Sequence, residues 1–88
     1  MNLLWTQDAW EEYLYWQKTD KRVVKKINAL IKDAARSPFK GLGKPEPLKE
    51  NLSGWWSRHI TGEHRLVYRV QGEDGDRVLT VAQCRYHY

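Results

Sequence analysis

Two residues in this chain have the chemistry needed to move protons, and both stand in unusual places. Glu46 lies between two prolines, in Pro45-Glu46-Pro47, and His87 is the last residue but one. An imidazole, with an ordinary pKa of about 6.5, donates or accepts a proton near neutrality, and a carboxylate is its natural partner in the opposite role. RNA carries its own nucleophile, the ribose 2′-hydroxyl beside each phosphodiester. Cleaving that backbone needs a base for the hydroxyl, an acid for the departing 5′-oxygen and positive charge for the crowded phosphate. Glu46, His87 and Arg65 can supply those three roles without a metal. A terminal His-Tyr is also what a frayed tail looks like, so both readings of His87 stand at this point.

Other chemistries fit less well. Cys84 is the single cysteine, which excludes an internal disulfide and a Cys-based zinc site. His59, Glu63 and His64 cluster around a turn but lack the helical spacing that sets metal ligands on one face. Gly41-Leu42-Gly43-Lys44 has too few glycines for a phosphate loop, and neither Ser53 nor Ser57 has the glycine context of a nucleophile elbow. We therefore expect no metal and no cofactor. The charge is uneven: residues 1–20 hold four acids against Lys18, whereas residues 21–88 hold fourteen Lys and Arg against seven acids. A basic, aromatic-bearing surface suits a polyanion, because cations neutralise phosphates and rings stack on unpaired bases; it also serves solubility alone.

These residues need a scaffold, and 88 residues at 10.5 kDa allow one domain, 1–88, with no second. Leu3-Leu4-Trp5 suits a first strand. Thr6 can cap a helix over 7–18, with Asp8, Glu11 and Glu12 at its positive end and Trp10, Tyr13, Leu14 and Gln17 at helical spacing. Thr19-Asp20 resets the chain. Val23, Ile27, Leu30, Ile31 and Ala34 then form an apolar stripe that ends at Ser37-Pro38. Residues 38–54 hold three prolines and three glycines, which excludes a regular helix or a central strand and leaves an ordered surface loop. Strands follow over 56–60, 65–70 and 77–84, the last apolar on both faces and therefore central. In the middle one Leu66, Tyr68 and Val70 alternate with Arg65, Val67 and Arg69, so the arginines stand on the open face, as a solvated surface or as a phosphate cradle. The expected fold is α+β: β-α-α-β-β-β, an antiparallel sheet with an N-terminal helical hairpin packed on one face. A signal peptide and a membrane-spanning stretch are not expected, which suits a cytoplasmic protein that does not engage membranes.

Six segments carry a resemblance that runs in order along nearly the whole chain. They are Trp10-Glu-Glu-Tyr-Leu-Tyr-Trp-Gln17, Asp20-Lys-Arg-Val-Val-Lys-Lys-Ile-Asn28, Gly43-Lys-Pro-Glu-Pro-Leu-Lys49, Leu52-Ser-Gly-Trp-Trp-Ser-Arg58, Glu63-His-Arg-Leu-Val-Tyr68 and Cys84-Arg-Tyr-His-Tyr88. Together they resemble the YoeB toxins of the RelE/ParE superfamily of bacterial toxin–antitoxin systems. The resemblance implies a microbial-RNase-like fold and a ribosome-dependent endonuclease that cuts mRNA in the ribosomal A site without a cofactor, leaving a 2′,3′-cyclic phosphate and a free 5′-hydroxyl. It further implies a homodimer and a YefM-type antitoxin, for which an acidic, partly disordered segment is the electrostatic expectation.

Carried over by motif, Glu46 is the expected general base, His87 the general acid, Arg65 the transition-state cation and Tyr88 the residue that orients substrate. Lys49, Arg58, His59 and Tyr86 are the expected substrate-binding positions. One position departs from the family pattern: a second arginine often follows Trp-Ser-Arg58, and this chain has His59. Strand alternation turns His59 away from Arg58 and toward the face of Arg65. Two rival readings remain: a ParE-like gyrase inhibitor, which would lack the Glu/Arg/His set, and a ribosome-binding module that blocks the A site by occupancy alone.

Overall fold

The computed structural model describes residues 1–87. Its elements are β1 (Asn2–Trp5), α1 (Gln7–Thr19), α2 (Lys21–Arg36), β2 (Glu46–Pro47), a 3₁₀ turn (Glu50–Leu52), β3 (Trp56–His59), β4 (Arg65–Gln71) and β5 (Val78–Gln83). The helical hairpin is set by two caps. Thr6 Oγ1 accepts the Ala9 amide at 3.1 Å. Asp20 works in both directions: its amide donates to the Trp16 carbonyl at 2.9 Å, closing α1, and its carboxylate accepts from the Arg22 and Val23 amides, opening α2. One residue thus joins two helices with no linker.

The apolar stripe of α2 is the floor of the core: Ile27, Leu30 and Ala34 have no exposure, and they join Leu66, Tyr68, Leu79 and Val81 from the sheet. The contribution of α1 differs from the sequence expectation. Its buried residues are Ala9 and Trp16, while Trp10 is exposed and joins Trp5 and Tyr13 in a side cluster with ring centroids 4.7–6.0 Å apart. Aromatics occupy more than one side of this helix, so spacing alone does not say which of them faces the sheet.

The sheet is mixed, in the order β1-β5-β4-β3-β2. The pairs among β3, β4 and β5 are antiparallel, as expected; β2, inside the stretch expected to be a loop, also pairs antiparallel with β3, and β1 runs parallel to β5. The helical hairpin carries the chain from β1 at one edge of the sheet to β2 at the other. From there β2, β3 and β4 lead it back to β5, so the parallel pair is joined by the long connection it requires. The proline-rich stretch contributes β2 at the edge, where Pro47 costs no ladder bond. No helix among the described residues is long and apolar enough to cross a membrane.

Candidate active site

Register decides which side chains meet. Glu46 lies opposite Ser57, and Ser57 opposite Val67; one step along, His59 lies opposite Arg65. Directly paired residues share a face and alternate residues return to it, so Glu46, Ser57, His59, Arg65 and Val67 all lie on the face turned away from the helices. Arg58, Leu66 and Tyr68 take the other. The face bearing Glu46 is not bare, since Ser57, Val67 and Thr80 are buried and the Arg69 guanidinium lies over the Trp55 ring at 4.4 Å. Neither description from the sequence, solvated surface or open cradle, covers its middle; Glu46 is exposed and His59 and Arg65 half-exposed at one end, while Arg69 is half-exposed and Gln71 exposed at the other.

His59 is the meeting point. Its amide donates to the Gly43 carbonyl at 2.7 Å, which seats the loop before β2 along the end of β3. Gly43 has φ +79°, and a Cβ there would come within 2.8 Å of Leu30 and 3.1 Å of Arg58 and His59, so only glycine permits this approach. Burial holds the His59 imidazole below its ordinary pKa, reinforced by the positive charges of Arg65, Lys44 and His87 and opposed by Glu46. The shift favours the neutral imidazole, and Glu46, Arg65 and His87 all lie within electrostatic reach of it. The Arg65 guanidinium is steadied through Nη1, which donates to the carbonyls of Thr61, Gly62 and His64 at 2.9, 3.2 and 3.1 Å.

The segment leading to His87 is fastened to the body. The Cys84 amide donates to Glu12 at 2.8 Å, and the Trp16 indole donates to the Cys84 carbonyl at 2.9 Å. The Arg85 guanidinium lies 3.6 Å from the centre of the Tyr15 ring. The Tyr86 amide donates to His64 Nδ1 at 2.7 Å, and its carbonyl accepts from the Arg65 amide and the Gln83 side chain. A frayed tail does not describe residues 84–86. Burial, with Glu12 nearby, pushes the Cys84 thiol up to about 12, which leaves it a packing residue.

Arg58 is a correction. Expected to bind substrate, it has no exposure. Its Nε donates to the Tyr68 hydroxyl, Nη1 to Asp33 and the Leu42 carbonyl, and Nη2 to the Ser37 and Lys40 carbonyls. A guanidinium has five N–H donors, and all five are used inside the protein. Parity had already set Arg58 on the helix-facing side; the missing element was its buried partner, Asp33, next to the apolar stripe of α2. Lys49 and Tyr86 are exposed, with Tyr86 at φ +66°. Tyr88 lies outside the described residues. Sequence reasoning missed Glu12, Trp16 and His64 as anchors of the terminal segment, since nothing in their spacing points across the fold.

Residues 5–88 match the family model for the YoeB-like toxin of bacterial type II toxin–antitoxin systems. The chain is 65% identical to Toxin YoeB of Escherichia coli K12 over 88 residues, all of both chains. It superposes on the YoeB/ParE toxin from Agrobacterium tumefaciens with TM-score 0.99 and 58% identity, each chain fully covered. The YoeB of Staphylococcus aureus, 47% identical, is similar both as a dimer (TM-score 0.89) and in a heterotetrameric YoeB–YefM complex (TM-score 0.87), with 100% of this chain and 98% of that one covered in each case.

Proposed function

Since the chain belongs to the YoeB-like toxins of bacterial type II toxin–antitoxin systems, we propose that it is a ribosome-dependent endoribonuclease cutting mRNA in the A site by metal-independent acid–base chemistry. The observation that carries this reading is the register that gathers Glu46, His59 and Arg65 on one face, with the charge of His87 felt at His59. Glu46 takes the proton of a ribose 2′-hydroxyl, and that oxygen attacks the adjacent phosphorus. The P–O5′ bond breaks, His87 gives its proton to the leaving oxygen, and the products are a 2′,3′-cyclic phosphate and a 5′-hydroxyl. Arg65, assisted by Lys49, stabilises the charge that grows on the phosphate. Tyr86 contacts substrate beside His87, and Tyr88 orients it. A YefM-type antitoxin binds and inhibits the toxin, and the toxin self-associates as a homodimer, in keeping with the assemblies of the Staphylococcus aureus relative.

The direct test is cleavage of mRNA on purified ribosomes, read by primer extension, for wild type against Glu46→Ala. Loss of a general base is expected to slow cleavage by about 10²–10⁴-fold; equal rates would refute the assignment.

His59 leads to a second expectation. A neutral imidazole beside the phosphate gives less stabilisation than a permanent cation would. His59→Arg is expected to raise the single-turnover rate at pH 7 by about tenfold, the effect of roughly 1.4 kcal/mol on the barrier. A variant that cleaves no faster would mean that this position does not face the phosphate.

A further inference from the structure

We propose that His64 is a positioning residue whose neutral ring holds the terminal segment so that His87 reaches the scissile phosphate; this rests on the nuclease reading above. After β5 the chain bends through Cys84, Arg85 and Tyr86 before His87. Tyr86 is at φ +66°, a left-handed conformation that a residue with a Cβ keeps only when its surroundings impose it. Here both ends of the residue are gripped. Its amide donates to His64 Nδ1 at 2.7 Å. Its carbonyl accepts from the Arg65 amide at 3.1 Å and from Gln83 Nε2 at 3.0 Å. His64 and Arg65 are consecutive, so the start of β4 clamps Tyr86, and a single peptide then separates this clamp from His87.

The His64 ring is itself held firmly enough to act as an anchor. Its backbone closes the β3–β4 turn: the amide donates to Thr61 Oγ1 at 3.0 Å, and the carbonyl accepts from the Ile60 amide at 2.9 Å. The ring stands edge-on to the buried Trp16, with centroids 4.9 Å apart and planes at 77°, and Tyr86 lies against it at 5.9 Å. An Nδ1 that accepts a backbone N–H carries no proton, so the ring is neutral with its hydrogen on Nε2. Trp16 in turn donates to the Cys84 carbonyl, so one indole braces both the anchor and the segment it anchors.

Two substitutions separate the acceptor from the packing. His64→Asn puts an amide oxygen near the place of Nδ1 but removes the ring; His64→Phe keeps a ring against Trp16 and removes the acceptor. Each full-length variant is assayed for single-turnover cleavage on ribosome-bound mRNA, for melting temperature, and for hydrogen exchange of the Tyr86 amide. With His64→Phe, Tyr86 exchange is expected to accelerate and cleavage to slow by about 10–100-fold, at an unchanged half-saturating ribosome concentration, as for a reacting group displaced by about an ångström. His64→Asn is expected to keep Tyr86 protection and to cleave within about threefold of wild type, since its amide oxygen still accepts the hydrogen bond. If His64→Asn is slower than His64→Phe, or if both fall equally, the residue serves packing and the proposal fails. Unchanged Tyr86 exchange in His64→Phe also defeats it. A wild type that cuts no RNA at all, with the exchange difference intact, would instead strike down the nuclease reading and leave the clamp standing.

Discussion

Replacing His87 by glutamine is expected to slow mRNA cleavage on the ribosome by about 10²–10⁴-fold, the range for losing a general acid, while leaving ribosome association unchanged. Glutamine keeps a hydrogen-bonding side chain of similar reach but has no proton to give at neutral pH. The leaving 5′-oxygen must then depart as an alkoxide, and that is where the barrier rises. Glu46 and Arg65 remain in place, so attack by the 2′-oxygen is still assisted. His87 is exposed, and a surface substitution of this kind should leave the melting temperature within a few degrees of wild type. A substrate carrying sulfur in place of the bridging 5′-oxygen should restore the rate, because a thiolate leaves without a proton. Translation arrest by His87→Gln with no cut message would instead identify a protein that blocks the A site by occupancy.

How much of this was legible in the sequence depends on which kind of pattern carried it. The stripe on α2 was readable because Val23, Ile27, Leu30 and Ala34 repeat at one helical phase and all four are buried. On α1 the aromatics face more than one way, and the residue that matters most, Trp16, could not be told from Trp10 by spacing. Alternation correctly set Arg65 and His59 on one face and Arg58 on the other, because parity along a strand is a local property. It did not reveal the parallel pairing of β1 with β5, since parity says which face a residue takes and nothing about the direction of the neighbouring strand.

The candidate site divides along the same line. Glu46 and His87 drew notice through local context, a carboxylate between prolines and an imidazole near the end. Arg58 was misassigned to substrate because its partners are remote. Asp33 is 25 positions away, and the carbonyls that complete its set come from Ser37, Lys40 and Leu42. An arginine on the buried side of a strand signals a buried acid elsewhere, and an aspartate bordering the core stripe of α2 was the one to seek.

Arg58→Met is expected to destabilise the fold by about 3–5 kcal/mol, the cost of stripping one partner from a buried ion pair. Methionine fills much of the same volume and donates nothing. Asp33, the Tyr68 hydroxyl and three loop carbonyls would each lose a donor. In a domain of this size each kcal/mol moves the melting temperature by about 4–8 °C, so a fall of roughly 15 °C or more should appear at neutral pH. The pH dependence identifies the cause. Hydrogen bonds from Arg58 first, then from the Leu42 amide and Arg36, lower the Asp33 carboxyl from 3.8 to about 2. A carboxylate with a depressed native pKa adds stability that is complete above its unfolded value and disappears as pH falls toward the native one. Wild type should therefore lose this contribution between about pH 4 and pH 2, whereas the variant has less of it to lose, keeping only the part that the Leu42 amide and Arg36 supply. The gap in melting temperature, followed by circular dichroism, should narrow as the solution is acidified; a gap that stays constant would mean that Arg58 acts through packing and its carbonyl bonds, not through Asp33. Arg58 also gathers the loop that runs from Ser37 into β2, and β2 carries Glu46. Cleavage by the variant should therefore decline at temperatures where the sheet is still folded, because the loop that delivers the base loosens before the core does.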